Sequence, residues 1–87
     1  TNALYEFLKM LLKIKSQQEG VIGRLIATDD YLKLFARRHD AKVPFLKGWR
    51  REIFGNDALA LCRGELYLAY NPASGQIDFI HKSAAEK

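Results

Sequence analysis

Gly48-Trp49-Arg50-Arg51-Glu52-Ile53-Phe54-Gly55, running on into Asn56-Asp57-Ala58-Leu59-Ala60-Leu61, is the stretch that decides the fold. Trp49 and Ile53 are four residues apart, so a helix puts them on one side with Phe54 beside them. That spacing assigns Trp49 to the core, although an exposed Trp would be a natural base-stacking residue. Arg50 and Arg51 then point elsewhere. Pro44 suits a first helical turn, so the helix reads as 45–54. Gly55 either ends it or lies inside a longer helix. In the first case Asn56 is able to cap a separate segment over 57–63, which Gly64 closes.

Upstream, Leu4, Phe7, Leu8, Leu11 and Ile14 recur at helical spacing, and the pattern predicts a helix over 3–19. Asn2 is placed to cap it and Gly20 to stop it. Glu6, Lys9, Lys13 and Gln17 line the other side, with Glu6 and Lys9 spaced to pair. Tyr5, Met10 and Leu12 widen the apolar sector, which favours packing in a bundle over lying on a membrane surface. Residues 21–27 fit a short strand or a short helix. Thr28 is a strong N-cap, and Asp29 and Asp30 complement the dipole of the helix that follows. Lys33, Arg37 and Arg38 lie toward that helix's C-terminal end, where cations are favoured, so helix electrostatics alone explain much of the Arg37-Arg38 pair. Residues 39–42 read as a loop.

The last third changes period. Residues 66–70 and 76–80 read as a β-hairpin around a five-residue loop, Asn71-Pro72-Ala73-Ser74-Gly75. Pairing Tyr70 with Gln76 would set Tyr67 and Ala69 beside Ile77 and Phe79 on one face. Two strands are marginal alone, so that face must pack on the helices. The expected architecture is mainly α: one small helical bundle over 1–82 with a C-terminal β-hairpin, followed by a flexible tail at 83–87.

Composition excludes several classes. With 48% hydrophobic and 28% charged residues the chain is not disordered by composition. No apolar run approaches the roughly 18 residues that span a bilayer, so no membrane partner is expected. The lone Cys62 lies in the apolar run Leu59-Ala60-Leu61-Cys62 and reads as a small hydrophobe. One Cys and two His do not supply a Cys-bearing zinc site, and no metal or cofactor is expected. His39 beside Asp40 lacks a nucleophile. Two-metal phosphodiester hydrolysis needs carboxylates clustered around ions about 4 Å apart. Here Asp29, Asp30 and Asp57 serve helix starts and Glu52 balances Arg50 and Arg51. No catalytic residue is assigned.

Charge is localised. Residues 33–51 carry seven Lys and Arg against Asp40 alone, whereas the rest of the chain has seven basic and nine acidic residues. Such a patch attracts polyanions.

The run at 48–55 resembles the C-terminal region of bacterial ribonuclease D. The serial order adds to the likeness: Leu8-Lys9-Met10-Leu11-Leu12-Lys13-Ile14-Lys15, then Leu25-Ile26-Ala27-Thr28-Asp29-Asp30-Tyr31-Leu32, then 48–61. The resemblance implies an HRDC-like fold, a small helical bundle, and favours a helix over a strand at 21–27. The hairpin departs from the all-helical HRDC pattern. The implied parent is a metal-dependent 3′ to 5′ exoribonuclease that trims structured RNA such as tRNA precursors; the lone cysteine fits a reducing compartment, the cytoplasm. The parent's acidic active site lies in a separate catalytic domain, and none of those residues maps here. The implied role is an accessory domain that holds or guides RNA and has the parent's catalytic domain as a partner.

From charge and placement, the candidate phosphate contacts are Lys33, Arg37, Arg38, Lys42, Lys47, Arg50 and Arg51. Tyr31 and Tyr70 are candidate stacking residues if exposed. Two alternatives stand beside RNA binding. One is a protein–protein or interdomain docking module, with Arg50 and Arg51 pairing with acidic groups. The other is DNA binding, as in HRDC domains of helicases.

Overall fold

A computed structural model describes residues 3–82. Helix α1 spans Ala3–Glu19, α2 Gly23–Ile26 and α3 Asp29–Arg37. A 3-10 turn, Pro44–Leu46, precedes α4, Gly48–Arg50. A π turn, Arg51–Gly55, leads without a break into α5, Asn56–Cys62. Strands β1, Leu66–Asn71, and β2, Gln76–His81, pair antiparallel. The mainly α fold with a C-terminal hairpin follows the expectation. The cap expected at Asn2 and the tail expected at 83–87 lie outside the described residues.

Local chemistry accounts for the boundaries. The Thr28 hydroxyl accepts the Tyr31 amide at 3.4 Å and caps α3. Gly64, at φ 73°, ends α5: its amide reaches the Leu61 carbonyl at 3.1 Å, and the Glu65 amide reaches Ala60 at 2.8 Å. This paired return satisfies carbonyls that a helix end otherwise leaves open.

The helix expected over 45–54 is divided. Lys47 is extended (φ −137°, ψ 148°) and Gly48 has φ 61°, so the Pro44 turn is a separate piece. Gly55 lies inside the longer helix, the second of the two readings left open. Asn56 is itself helical, and its side chain accepts from Arg51 Nε at 2.9 Å instead of capping a new segment. A Cβ on Gly55 would stand 2.0 Å from the Phe45 carbonyl oxygen, so only glycine lets the 3-10 turn lie this close. Phe45 is thereby seated between Phe35 and Phe54, with ring centroids 5.4 and 5.0 Å apart and edge-to-face geometry in both pairs. All three rings are fully buried. Each contact adds about 0.5–1.5 kcal/mol beyond burial.

Around this stack lie Leu8 and Leu11 of α1, Ile26 and Ala27 of α2 and its exit, Leu32 and Ala36 of α3, Val43, Ala58 and Leu66. Phe7 and Met10, assigned to the apolar side of α1, are exposed. Trp49, assigned to the core, is 46% exposed. The spacing to Ile53 is real, but Ile53 itself is only half-buried, and the Trp49 ring lies against the Arg50 guanidinium instead.

The hairpin register is one residue off the expected one. Asn71 pairs with Gln76 and Tyr70 with Ile77, around a four-residue loop, 72–75. The loop is set by the Asn71 side chain, whose Oδ1 accepts the Ala73 amide at 2.9 Å, and by Gly75 at φ 73°, whose amide returns to the Asn71 carbonyl at 2.8 Å. A one-residue slip changes which side chains share a face. Leu66, Leu68 and Tyr70 therefore lie with Ile77 and Phe79, and Leu68 and Phe79 pack against the core. Lys15 of α1 lies 4.9 Å from the Phe79 ring centroid and 2.7 Å from the Asp57 carboxylate, tying α1, α5 and β2 together.

Gly55→Ala should destabilise the fold by roughly 3 kcal/mol, since backbone cannot move aside as a side chain can. Urea unfolding checks this, and a midpoint equal to the parent's contradicts the close-approach role. Lys15→Ala should cost about 1–2 kcal/mol, because the pair is half-buried. Lys9→Ala, which breaks an exposed pair with Glu6 at 3.7 Å, should cost little in the same assay.

Candidate nucleic-acid interface

The basic run 33–51 extends over α3, the following loop, the 3-10 turn, α4 and the first residue of the π turn. Arg37, Arg38, Lys42 and Lys47 are exposed, and among the described residues their side chains make no hydrogen bond or ion pair. The three other basic candidates are engaged, each differently.

Lys33 reaches Asp29 at 3.2 Å and lies 5.8 Å from the Tyr5 ring centroid. Tyr5 in turn donates its phenolic hydrogen to Asp29 Oδ1. That hydrogen bond, reinforced by partial desolvation and the Asp29 charge, pushes the Tyr5 phenol from its ordinary 10.0 up to about 12. Accepting from Tyr5, and then from Lys33, holds the Asp29 carboxyl below its ordinary range. Part of the Lys33 charge is therefore compensated within the fold.

Arg51 donates Nε–H to Asn56 and, at 3.5 Å, an Nη1 hydrogen to the Leu46 carbonyl. It braces the π turn against the 3-10 turn. Arg50 faces the other way. Its Nε donates to the Leu25 carbonyl at 2.7 Å, and its guanidinium carbon lies 4.5 Å from the centre of the Trp49 indole. One nitrogen is thus anchored to α2, and the cation lies against an aromatic ring. Among the described residues the two terminal nitrogens are unengaged.

Arg50 helps line a shallow cleft of about 270 Å³ together with Arg24, Leu25, Thr28, Tyr31 and Pro44. Of the two stacking candidates, Tyr31 lines this cleft, while Tyr70 lies on the hairpin and is 67% exposed. Arg24 and Trp49 were not among the expected site residues. Arg24 sits in the segment 21–27, whose strand-or-helix ambiguity hid the face it presents. Trp49 was given to the core by its spacing. A wider groove of about 530 Å³ lies between α1 and β2 and includes Glu6, Lys9, Met10, Lys13 and Ile77. Cys62 is half-buried, and burial pushes its thiol up, opposed by Arg63. Among the described residues no three His, Cys, Asp or Glu side chains converge on a point where a metal ion could sit. No helix of the described residues is long and apolar enough to cross a membrane.

The chain is 47% identical over 66 residues to ribonuclease D of Granulibacter bethesdensis and 48% identical over 67 residues to that of Nitrobacter hamburgensis. It is 43% identical over 74 residues to ribonuclease D of Jannaschia sp.. These matches cover 76%, 77% and 85% of the chain. The chain is homologous to a segment of bacterial ribonuclease D. It spans 17–18% of the length of these relatives, as expected for one domain of the larger protein. No protein-family model matches the chain, and no solved structure does.

The Tyr5–Asp29 contact gives the chain a defined pH response. The folded chain holds the phenolic proton more tightly than the unfolded chain, so the contribution is complete below pH about 10 and is lost as pH rises through about 12. At the acid end, the depressed Asp29 carboxyl contributes above its ordinary value and loses that contribution as pH falls. Tyr5→Phe should flatten the alkaline loss of stability, measured by urea unfolding across this pH range. An unchanged alkaline slope contradicts the contact.

Proposed function

We propose that this chain is a non-catalytic accessory domain of a ribonuclease D-like 3′ to 5′ exoribonuclease, and that it holds structured RNA, such as tRNA precursors, by phosphate contacts. The metal-dependent chemistry would reside in the catalytic domain of the parent protein, in the cytoplasm. The observation that carries this reading is the local basic excess. Arg37, Arg38, Lys42 and Lys47 are exposed and unpartnered among the described residues, within a segment homologous to ribonuclease D. Cations not consumed by the fold are available to polyanions. Lys33 and Arg50 add to the field, and Arg51 adds charge while bracing the helix. Tyr70 would offer a stacking surface on the hairpin. The ribonuclease names of the relatives favour RNA over the DNA of helicase-type HRDC domains.

A second reading rests on the exposed Phe7 and Met10 of α1 and the groove beside them. In that reading this face docks on the catalytic domain of the parent protein. The two readings rest on different residues: the basic candidates run from α3 to the π turn, whereas Phe7 and Met10 lie on α1.

Fluorescence anisotropy of a labelled tRNA-like 3′ end distinguishes them. RNA holding predicts saturable binding that weakens with salt. Arg37→Ala/Arg38→Ala should weaken binding and reduce the salt slope by roughly one unit per lost phosphate contact. An unchanged slope removes Arg37 and Arg38 from the interface. Absence of binding even at low salt leaves docking as the function.

A further inference from the structure

We infer that the cleft between α2, α3 and the 3-10 turn takes one unpaired nucleotide, so that the domain prefers RNA with a single-stranded end over a blunt duplex. This deepens the RNA-holding reading and rests on it. Three features of the cleft carry the inference.

The first is the state of Arg50. Its Nε is committed to the Leu25 carbonyl at 2.7 Å, and its guanidinium carbon lies 4.5 Å from the centre of the Trp49 ring. What remains is a fixed edge of N–H groups, the geometry that suits a phosphate. A guanidinium that is already ordered loses less freedom on binding than a loose lysine does.

The second is the combination of surfaces. Tyr31 lines the cleft and is partly exposed, Leu25 and Pro44 supply an apolar floor and rim, and Arg24 adds a second cation without a side-chain partner among the described residues. An aromatic face beside cations is what a single unstacked base with its phosphate requires. A duplex, whose bases are stacked internally, has no face to offer.

The third is size and openness. About 270 Å³ lies just under the usual range of small-molecule pockets, which begins near about 300 Å³. The cleft is a surface notch suited to one residue of a polymer whose remaining contacts lie outside it. Of the free cations, Arg37, Arg38 and Lys42 lie at the end of α3 and in the loop into the 3-10 turn, and Lys47 directly follows that turn.

The test uses this domain with two RNAs: a blunt duplex, and the same duplex carrying a short unpaired 3′ uridine tail. The parent domain should bind the tailed RNA roughly tenfold more tightly, the lower range of what one stacked base contributes. Tyr31→Ala and Arg50→Lys should each bring the tailed-to-blunt affinity ratio down toward one. Tyr31→Phe, which keeps the ring, should retain it and controls for loss of fold. Arg37→Ala/Arg38→Ala should weaken both RNAs together and leave their ratio. Equal binding of both RNAs by the parent domain, or a Tyr31→Ala variant that keeps the preference, overturns the nucleotide cleft and leaves RNA holding intact. Failure to bind either RNA at low salt overturns both and points to a protein surface.

Discussion

The Phe45 carbonyl occupies the place where a side chain at position 55 would begin, and the rest of the structure is arranged around that contact. Because Gly55 has no Cβ, the 3-10 turn can lie directly on the π turn. Phe45 is thereby driven into the centre of a three-ring stack that joins α3 to the α4–α5 helix. Arg51 reinforces the approach from outside through Asn56 and Leu46. The widened π turn belongs to the same solution, since it carries both Phe54 inward and Gly55 against the turn. Such one-turn expansions recur where a helix must serve a local purpose besides continuing.

The same junction shapes the surface. Pro44 and Phe45 form one wall of the notch whose other side is α2 and α3, and Arg50 bridges to α2 through the Leu25 carbonyl. The two adjacent arginines of the tract therefore divide their work. Arg51 is spent on the fold, whereas Arg50 is oriented by the fold and keeps hydrogen-bonding capacity toward solvent. Lys33 stands between these cases, paired with Asp29 yet exposed. Counting positive charges over 33–51 treats all seven alike. Their partners show that Arg37, Arg38, Lys42 and Lys47 carry the uncommitted part of the field.

Much of the fold was legible from local chemistry. The period of α1, the Thr28 cap, the glycine stops at 20 and 64 and the switch to a two-residue period near 66 each reflect a short-range preference. What was not legible depends on contacts between distant residues. Gly55 as a close-approach glycine is visible only once Phe45 is placed beside it. The break at Lys47–Gly48 follows from the same contact. Trp49 has core-like spacing to Ile53, but its ring lies at the surface against the Arg50 guanidinium. The hairpin slipped by one residue because Asn71 serves as a strand residue and also organises the turn with its side chain. At the surface, the basic bias was readable, but Arg24 and Trp49 were hidden, one by an ambiguous segment and one by a misleading period.

The most direct test of the account is a ¹⁵N chemical-shift titration of the domain with a short unpaired oligoribonucleotide at low salt. The account predicts that the largest shifts fall on the backbone around Arg24, Leu25, Tyr31 and Arg50 and on the Trp49 indole N–H. Smaller shifts should extend to Arg37 and Arg38, and the α1 face at Phe7 and Met10 should stay unchanged. Shifts confined to the groove between α1 and β2, or no shifts at all, would contradict it.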